Sequence, residues 1–181
     1  PCDPKGMFLE KVQGYLYEEI MFRSLSEGEL AARGALLIEN VQDGFLRFEA
    51  VTLRGDKLAM QCFLERCLAV NEGASFADFY YSVLTEEEQR GFVAGLSDEE
   101  KSVFLQFETE PRQVYYPLVA ENLFFLAEIT ARNWLFSTFY FTKQKAVVWG
   151  NYGLEYPLFC EEGETLECYK NIAQECGLEL G

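Results

Sequence analysis

The sequence predicts an α+β fold in which helices predominate and a small antiparallel sheet lies in the C-terminal half. The run from Trp134 to Trp149 is rich in the aromatic and β-branched residues that favour strands. Elsewhere, apolar residues recur every three or four positions, and polar residues that favour helix starts precede these segments. We expect a single domain over 1–181, helical over 7–132, with the sheet and a terminal helix over 133–181.

The first two helices are predicted from apolar spacing and from one capping signal. Residues 7–25 place apolar side chains on one helical face. Ser26 and Glu29 have the spacing of a capping box, in which each side chain bonds the other residue's backbone N–H. The second helix is expected to continue to about Asp43, although Gly34 lies within it and weakens it.

A third helix is predicted after a segment whose pattern is ambiguous. Residues 45–53 fit either a short strand or another helical segment. Asp56 is the expected N-cap of a helix that runs to Val70, and Gly73 lies just past its end, where glycine is common. Ser75 is expected to cap one more short helix.

Two acidic helix starts then repeat at a spacing of twelve residues. Thr85 and Ser97 each precede three carboxylates and, further on, a pair of apolar residues. Both segments have the pattern of a capping box, and acidic residues in a first turn also complement the helix dipole. The carboxylates of these acidic starts are Glu86, Glu87, Glu88, Asp98, Glu99 and Glu100.

A buried helix and the sheet are predicted to follow. Residues 118–132 are apolar on almost every side, which indicates a helix packed on the sheet. Residues 134–149 predict a hairpin with a four-residue loop, and 156–160 an additional edge strand in which Pro157 needs no ladder donor. A final amphipathic helix is expected to end at Gly177.

Cysteine and histidine usage limits the chemistry that the chain can perform. Six cysteines are present without a C-x-x-C pair, and Cys62 and Cys67 fall in a helical stretch, so we expect reduced thiols. The absence of histidine disfavours zinc sites and removes the usual nucleophile–base pairs. No phosphate-binding or nucleophile motif is present. The sequence therefore predicts a non-catalytic protein with no cofactor and no metal.

The formal charge of −15 indicates the kind of partner. Phosphate backbones and anionic membranes would be repelled, so neither nucleic acid nor a membrane is expected as a direct partner. A basic protein, such as one that itself handles nucleic acid, fits the charge. The chain has no apolar run of about 18 residues and no leader pattern, which favours a cytoplasmic protein.

Two candidate binding regions remain open to a structural and a functional interpretation. The acidic starts either present rows of charge to a basic groove or are ordinary solvated helix ends. Trp149 and Tyr152, with Asn151 and Tyr156, form a polar-tipped aromatic cluster that suits either an interface or a core and turn. A metal site is disfavoured, because neighbouring carboxylates on one helical turn point in different directions.

In this profile of a short acidic chain without a catalytic motif, the sequence resembles phage-encoded anti-CRISPR proteins, particularly those that inhibit Cas9. The resemblance implies a protein of the bacterial host cytoplasm whose partner is the Cas9–guide RNA complex. It implies inhibition by DNA mimicry, since Cas9 holds its heteroduplex in a positively charged channel. DNA binding or cleavage would be blocked, and a homodimer is compatible with the sequence.

Two other functional classes are kept as alternatives. One is a cytoplasmic binding module, such as a toxin-immunity protein or a ligand-binding regulator. The other is a carboxylate-based enzyme, which would need a deep pocket containing a carboxyl group of raised pKa.

Overall fold

The computed structural model describes residues 20–181, and these form seven α-helices and one seven-stranded antiparallel sheet. The helices are α1 (Glu27–Ala32), α2 (Val41–Arg47), α3 (Lys57–Val70), α4 (Glu86–Ala94), α5 (Asp98–Phe104), α6 (Ala120–Ala131) and α7 (Gly163–Glu175). The strands are β1 (Glu49–Arg54), β2 (Ser75–Asp78), β3 (Tyr115–Pro117), β4 (Thr138–Phe141), β5 (Ala146–Trp149), β6 (Glu155–Cys160) and β7 (Glu179–Leu180). The predicted α+β class is confirmed by these helices and strands.

Within residues 20–181, no helix combines the length and apolar character needed to cross a bilayer.

The predicted capping signals are found at the helix starts. At α1, Ser26 Oγ accepts from the Glu29 N–H at 3.1 Å, and Glu29 Oε2 accepts from the Ser26 N–H at 2.7 Å. The same reciprocal pair begins α4 and α5. At α3, Asp56 Oδ1 accepts from the Ala59 N–H at 2.8 Å. Because these bonds join residues three apart, they could be predicted from local sequence alone.

The N-terminal part of the prediction is corrected. Residues 7–19 of the predicted first helix lie outside the described residues, and 20–25 are extended rather than helical. Phe22 and Leu25 make isolated bridges to distant strand-like segments instead. Gly34 adopts a φ of +90°, and α1 ends just before it, because a residue with that backbone angle cannot continue a right-handed helix.

The sheet is larger than predicted and draws its strands from both halves of the chain. Its order is β3-β2-β4-β5-β6-β1-β7. Residues 45–53 contribute both the end of α2 and most of β1. The prediction of a short helix capped by Ser75 is wrong, because Ser75–Asp78 is strand β2. All four of its residues are buried, so the polar–apolar alternation that identifies a strand is missing.

The C-terminal strands also differ in detail from the predicted hairpin and edge strand. β4 begins at Thr138, because the Trp134 N–H still bonds Ile129 O at 3.2 Å at the end of α6. β6 is not an edge strand, since it lies between β5 and β1. Pro157 is tolerated there because its partner Thr52 turns its N–H and C=O toward Gly181, each at 2.9 Å.

Helical segments cover the two faces of the sheet. Buried side chains of α3, α6 and α7 pack on one face and form the main core. A smaller core on the other face joins α1 and the segment after it to the sheet. Strand β4 contributes to both cores, because its side chains alternate between the two faces of the sheet: Phe139 and Phe141 point into the main core and Tyr140 points into the smaller one. The candidate site lies on this second face.

Candidate functional site

A cleft of about 530 Å³ opens where β2 and β5 end and β3 and β4 begin. Because successive side chains of a strand point to opposite faces of the sheet, only every second residue of these strands reaches the cleft. Asp78 and Tyr80 lie on the cleft side, whereas Phe79 between them is buried in the main core. Thr138 and Tyr140 follow the same rule on β4. The aromatic residues that line the cleft are Tyr80, Tyr115, Phe136, Tyr140, Trp149 and Tyr152.

Asp78 is the buried carboxyl group of this cleft, with only 3% of the residue exposed. Its Oδ1 accepts from the Thr138 N–H at 2.7 Å, and its Oδ2 accepts from the Tyr140 hydroxyl at 3.4 Å. Burial raises the pKa of Asp78 to about 7, and the bonds from Thr138 and Tyr140 oppose that rise. Near neutral pH the carboxyl group is therefore divided between its two protonation states.

Tyr115 and Tyr140 act as neutral phenols in the cleft. Tyr115 and Tyr140 pack edge to face with their ring centroids 6.0 Å apart, and the Tyr115 hydroxyl donates to Glu27 Oε2 at 3.5 Å. Burial, and to a lesser extent the Asp78 carboxyl, raises the pKa of Tyr140. These side chains therefore offer hydroxyl groups and π faces and do not serve as bases at neutral pH.

The charges of the cleft have one sign. Glu27, Glu39 and Asp78 contribute three carboxyl groups, and among the described residues no lysine or arginine lines the cleft. Aromatic π faces attract cations as well, because their quadrupole is negative above the ring. The arrangement favours a cationic group and disfavours a phosphate.

Trp149 and Tyr152, which the sequence nominates as binding residues, both line the cleft. Tyr152 is 67% exposed and packs edge to face on Phe136 at 4.5 Å. Asn151 lines the cleft beside them. The predicted aromatic cluster is nevertheless divided, because Tyr156 is buried in the main core on the other face of the sheet.

The acidic starts of α4 and α5 lie away from the cleft. Four of their six carboxylates are exposed without a hydrogen bond to the described residues; these are Glu86, Glu87, Asp98 and Glu99. Glu88 and Glu100 instead complete the two capping boxes. Glu100 also pairs with Arg132 at 2.5 Å, which leaves 15% of its side chain exposed. The six carboxylates therefore have two different roles.

The acidic starts line two separate grooves. Glu86 lines a groove with Arg90 and Lys101, where the positive side chains offset its charge. Glu99 and Glu100 line another with the exposed ring of Phe124, the carboxyl groups of Glu121 and Glu128, and Lys57, which pairs with Glu128. The α5 start therefore belongs to an acidic, partly apolar surface, whereas the α4 start does not.

The cleft residues that sequence reasoning missed are Asp78, Tyr80, Tyr115 and Tyr140. A signal is present in residues 77–80, where Ala77 and Phe79 alternate with Asp78 and Tyr80. Read with a period of two, this run places a carboxyl group on a buried strand face, where a function or a specific partner is expected.

Comparison with known proteins adds no functional assignment. No protein-family model matches the chain, and no curated protein or solved structure is significantly similar to it. Within residues 20–181, no group of three or more potential ligand side chains is placed to hold a metal ion. The function is therefore inferred from the chemistry of the cleft.

Proposed function

We propose that this chain is a non-catalytic binding protein whose cleft receives a cationic side chain of a basic partner protein. The observation that carries the proposal is the carboxyl group of Asp78 in an aromatic cleft that no lysine or arginine of residues 20–181 lines. The net charge of −15 supports a partner of opposite charge and speeds its approach.

The chemistry of the cleft favours arginine over lysine as the inserted side chain. A guanidinium group is planar, so it stacks on aromatic rings while its N–H groups bond carboxylate oxygens. Tyr115 and Tyr140 supply such rings beside Asp78. A cation over an aromatic ring contributes about 0.5 to 2 kcal/mol, depending on how well the pair is shielded from water. Proteins that bind nucleic acid expose arginines of this kind.

The specific target that we propose is the Cas9–guide RNA complex, with the protein occupying basic surfaces that would otherwise hold DNA. The test is cleavage of plasmid DNA by guide-loaded Cas9, with and without this protein, at low and moderate salt. We expect inhibition that weakens as salt rises, because exposed charge pairs are screened. Absence of inhibition across several Cas9 orthologues would contradict this target. The proposal that the cleft receives a cationic side chain would then be tested by the next experiment alone.

Binding of a guanidinium group can be tested without knowing the partner. N-acetyl-arginine methylamide is titrated into the protein, and the neutral citrulline analogue, which has the same shape, is the control. Trp149 lines the cleft and reports on it by fluorescence in a Trp134→Phe background. Saturable binding of the arginine compound alone is expected. Equal binding of both compounds, or of neither, would contradict the proposal.

The affinity for the arginine compound is predicted to rise about tenfold between pH 6 and pH 8. With a pKa of about 7, Asp78 is about one-tenth ionised at pH 6 and about nine-tenths ionised at pH 8. Arginine keeps its charge throughout this range. Fluorescence titrations at half-unit pH steps measure the change. A flat profile would show that the Asp78 carboxylate is not part of the binding site.

The exposed carboxylates of the acidic starts are predicted to contribute to partner binding and, through the helix dipoles, to contribute modestly to stability. The variant replaces Glu86, Glu87 and Glu99 with Gln and Asp98 with Asn, and it keeps Glu88 and Glu100 in their capping boxes. We expect Cas9 inhibition to weaken and its salt dependence to become shallower, while the free energy of unfolding falls by about 1 to 3 kcal/mol because four first-turn carboxylates no longer complement the helix dipoles.

A matched variant distinguishes the position of these charges from their number. Glu161, Glu162, Glu164 and Glu179 are also exposed, and replacing all four with Gln removes the same charge at the start of α7 and at β7. If both variants weaken inhibition equally, the acidic starts have no special role. Changing all six residues of the acidic starts would be less informative, because Glu100→Gln also breaks the pair with Arg132.

A ligand-binding regulator or a toxin-immunity protein is the second candidate. The cleft volume of about 530 Å³ falls in the range of about 300–1,000 Å³ that small-molecule sites occupy. Native mass spectrometry of the protein purified from its host distinguishes the cases. A retained small cation would favour the regulator, and a tight cognate partner with no effect on CRISPR nucleases would favour immunity.

A carboxylate-based enzyme is the third candidate, because Asp78 combines a cleft position with a pKa of about 7. The hydrogen bonds that both of its oxygens accept lower its pKa and so weaken it as a general base. A panel of chromogenic esters, glycosides and phosphate esters at pH 5–8 tests catalysis. Turnover that disappears in Asp78→Asn would replace the binding proposal with an enzymatic one.

A further inference from the structure

Two cysteines that are far apart in sequence lie in contact away from the cleft. Cys62 lies on α3, and Cys176 is the residue at which α7 ends. Their Sγ atoms are 2.7 Å apart, although 114 positions separate them along the chain. Both side chains are partly exposed, so a small reagent can reach them.

Flanking contacts hold the two helices in this arrangement. One turn beyond Cys62, Arg66 forms an ion pair with Glu175, the neighbour of Cys176. Further along α3, the buried Asn71 donates through Nδ2 to the Tyr169 hydroxyl of α7 at 2.9 Å. The two sulfur atoms are therefore brought together by the packing of α3 on α7, and these contacts hold the two helices on one side of the pair.

The other cysteines of residues 20–181 are placed differently. Cys67 and Cys160 are fully buried, so no part of either thiol is open to a reagent in solution. Cys168 is exposed on α7. Burial makes Cys67 and Cys160 poor sites for thiol exchange, whereas Cys168 is accessible and serves as an internal reference.

We infer that Cys62 and Cys176 are an oxidation site, at which the two thiols form a reversible disulfide between α3 and α7. The oxidant is a low-molecular-weight disulfide such as oxidised glutathione. One cysteine thiolate attacks it, forming a mixed disulfide and releasing one glutathione thiolate. The second cysteine thiolate attacks the mixed disulfide at the protein sulfur and releases the other glutathione. The two protons of the cysteine thiols end on the two glutathiones, so two cysteines are oxidised and one disulfide is reduced.

This bond would stabilise the fold by restricting the unfolded chain, because it closes a loop that spans most of the sequence. It would also fix the C-terminal segment, since β7 begins three residues after Cys176 and pairs with β1 at the edge of the sheet. The folded protein would thus be more stable under oxidising than under reducing conditions, independently of what the cleft binds.

The test uses the full chain in a Cys2→Ser background, incubated with oxidised or reduced glutathione. Peptide mapping under non-reducing conditions is expected to give one cross-linked peptide containing Cys62 and Cys176, with the loss of two hydrogen atoms from the intact mass. The urea midpoint should rise on oxidation and return to its starting value with dithiothreitol. Cys168→Ser should change neither result, and Cys62→Ser should abolish the rise.

Two results would overturn the inference. One is the accumulation of stable glutathione adducts on Cys62 or Cys176 without ring closure. The other is a cross-link that involves Cys168 in place of either residue. Because peptide mapping is performed with Cys62 and Cys176 intact, the inference stays testable even if Cys62→Ser fails to fold.

Discussion

Replacing Asp78 with asparagine is expected to increase stability at pH 8 and to abolish binding of the arginine compound. The wild-type carboxyl group is buried and must ionise at that pH with two hydrogen bonds to compensate for lost hydration. Asparagine has nearly the same shape, keeps an oxygen for the Thr138 N–H, and carries no charge. The substitution therefore removes the free-energy cost of burying an anion, which raises stability. It also removes the negative charge that binds the cation, which abolishes binding.

The pH dependence of stability separates this effect from a change in packing. The pKa of Asp78 is raised from 3.8 to about 7 by folding, so the folded state holds its proton more tightly than the unfolded state. The stability that this proton provides is fully present below pH 3.8 and is lost as the pH rises through 7. Between pH 5 and pH 8 the wild type should lose about 2 to 3 kcal/mol through this group, and Asp78→Asn should lose none of it.

Urea unfolding at pH 5 and pH 8, combined with the fluorescence titration, measures both parts of the prediction. Asp98→Asn is the matched control, because it makes the same chemical change at an exposed carboxylate. Carboxylates with lowered pKa values, such as Glu29 and Asp43, lose their contribution only at lower pH and do not interfere. A variant that keeps the wild-type pH dependence, or that still binds the arginine compound, would contradict the role assigned to Asp78.

Helix starts could be predicted from the sequence because the contacts that define them are local. Thr85 with Glu88 and Ser97 with Glu100 each close a capping box within four residues, and the spacing of these side chains is visible in the sequence. The same holds for Asp56 at α3 and for the glycine after α7. In each case, the residue type and its position already specify the hydrogen bond.

The sheet and the cleft could not be predicted in the same way, because their contacts are long-range. Asp78 bonds Thr138 and Tyr140, which lie 60 and 62 residues away. The apolar residues around Asp78 are spaced as in a helix, and this spacing conceals the fact that Ser75–Asp78 is a strand buried on both faces. Trp149 and Tyr152 were found from composition alone. Their relation to Asp78 follows only from the pairing of β2 with β4 and of β4 with β5.

The largest loss of stability is expected from Phe79→Ala. Phe79 is 1% exposed and lies at the centre of the aromatic core beneath the cleft. Its ring is within 6.4 Å, between centroids, of the rings of Tyr81, Phe92, Phe104, Phe107, Tyr116 and Phe125. Removing it leaves a cavity among rigid rings that cannot move together to fill it, so we expect a loss of about 3 to 5 kcal/mol.

Phe124→Ala is the matched control, because it removes the same ring from a side chain that is 54% exposed on α6. Its free energy of unfolding, measured with urea, should stay within about 0.5 kcal/mol of wild type. Phe79→Leu should recover part of the loss, since leucine refills much of the cavity. Equal effects of the two alanine variants would contradict the burial of Phe79. Such a result would also contradict the alternation of side chains that directs Phe79 into the core and Asp78 and Tyr80 into the cleft. The proposed binding site depends on this alternation.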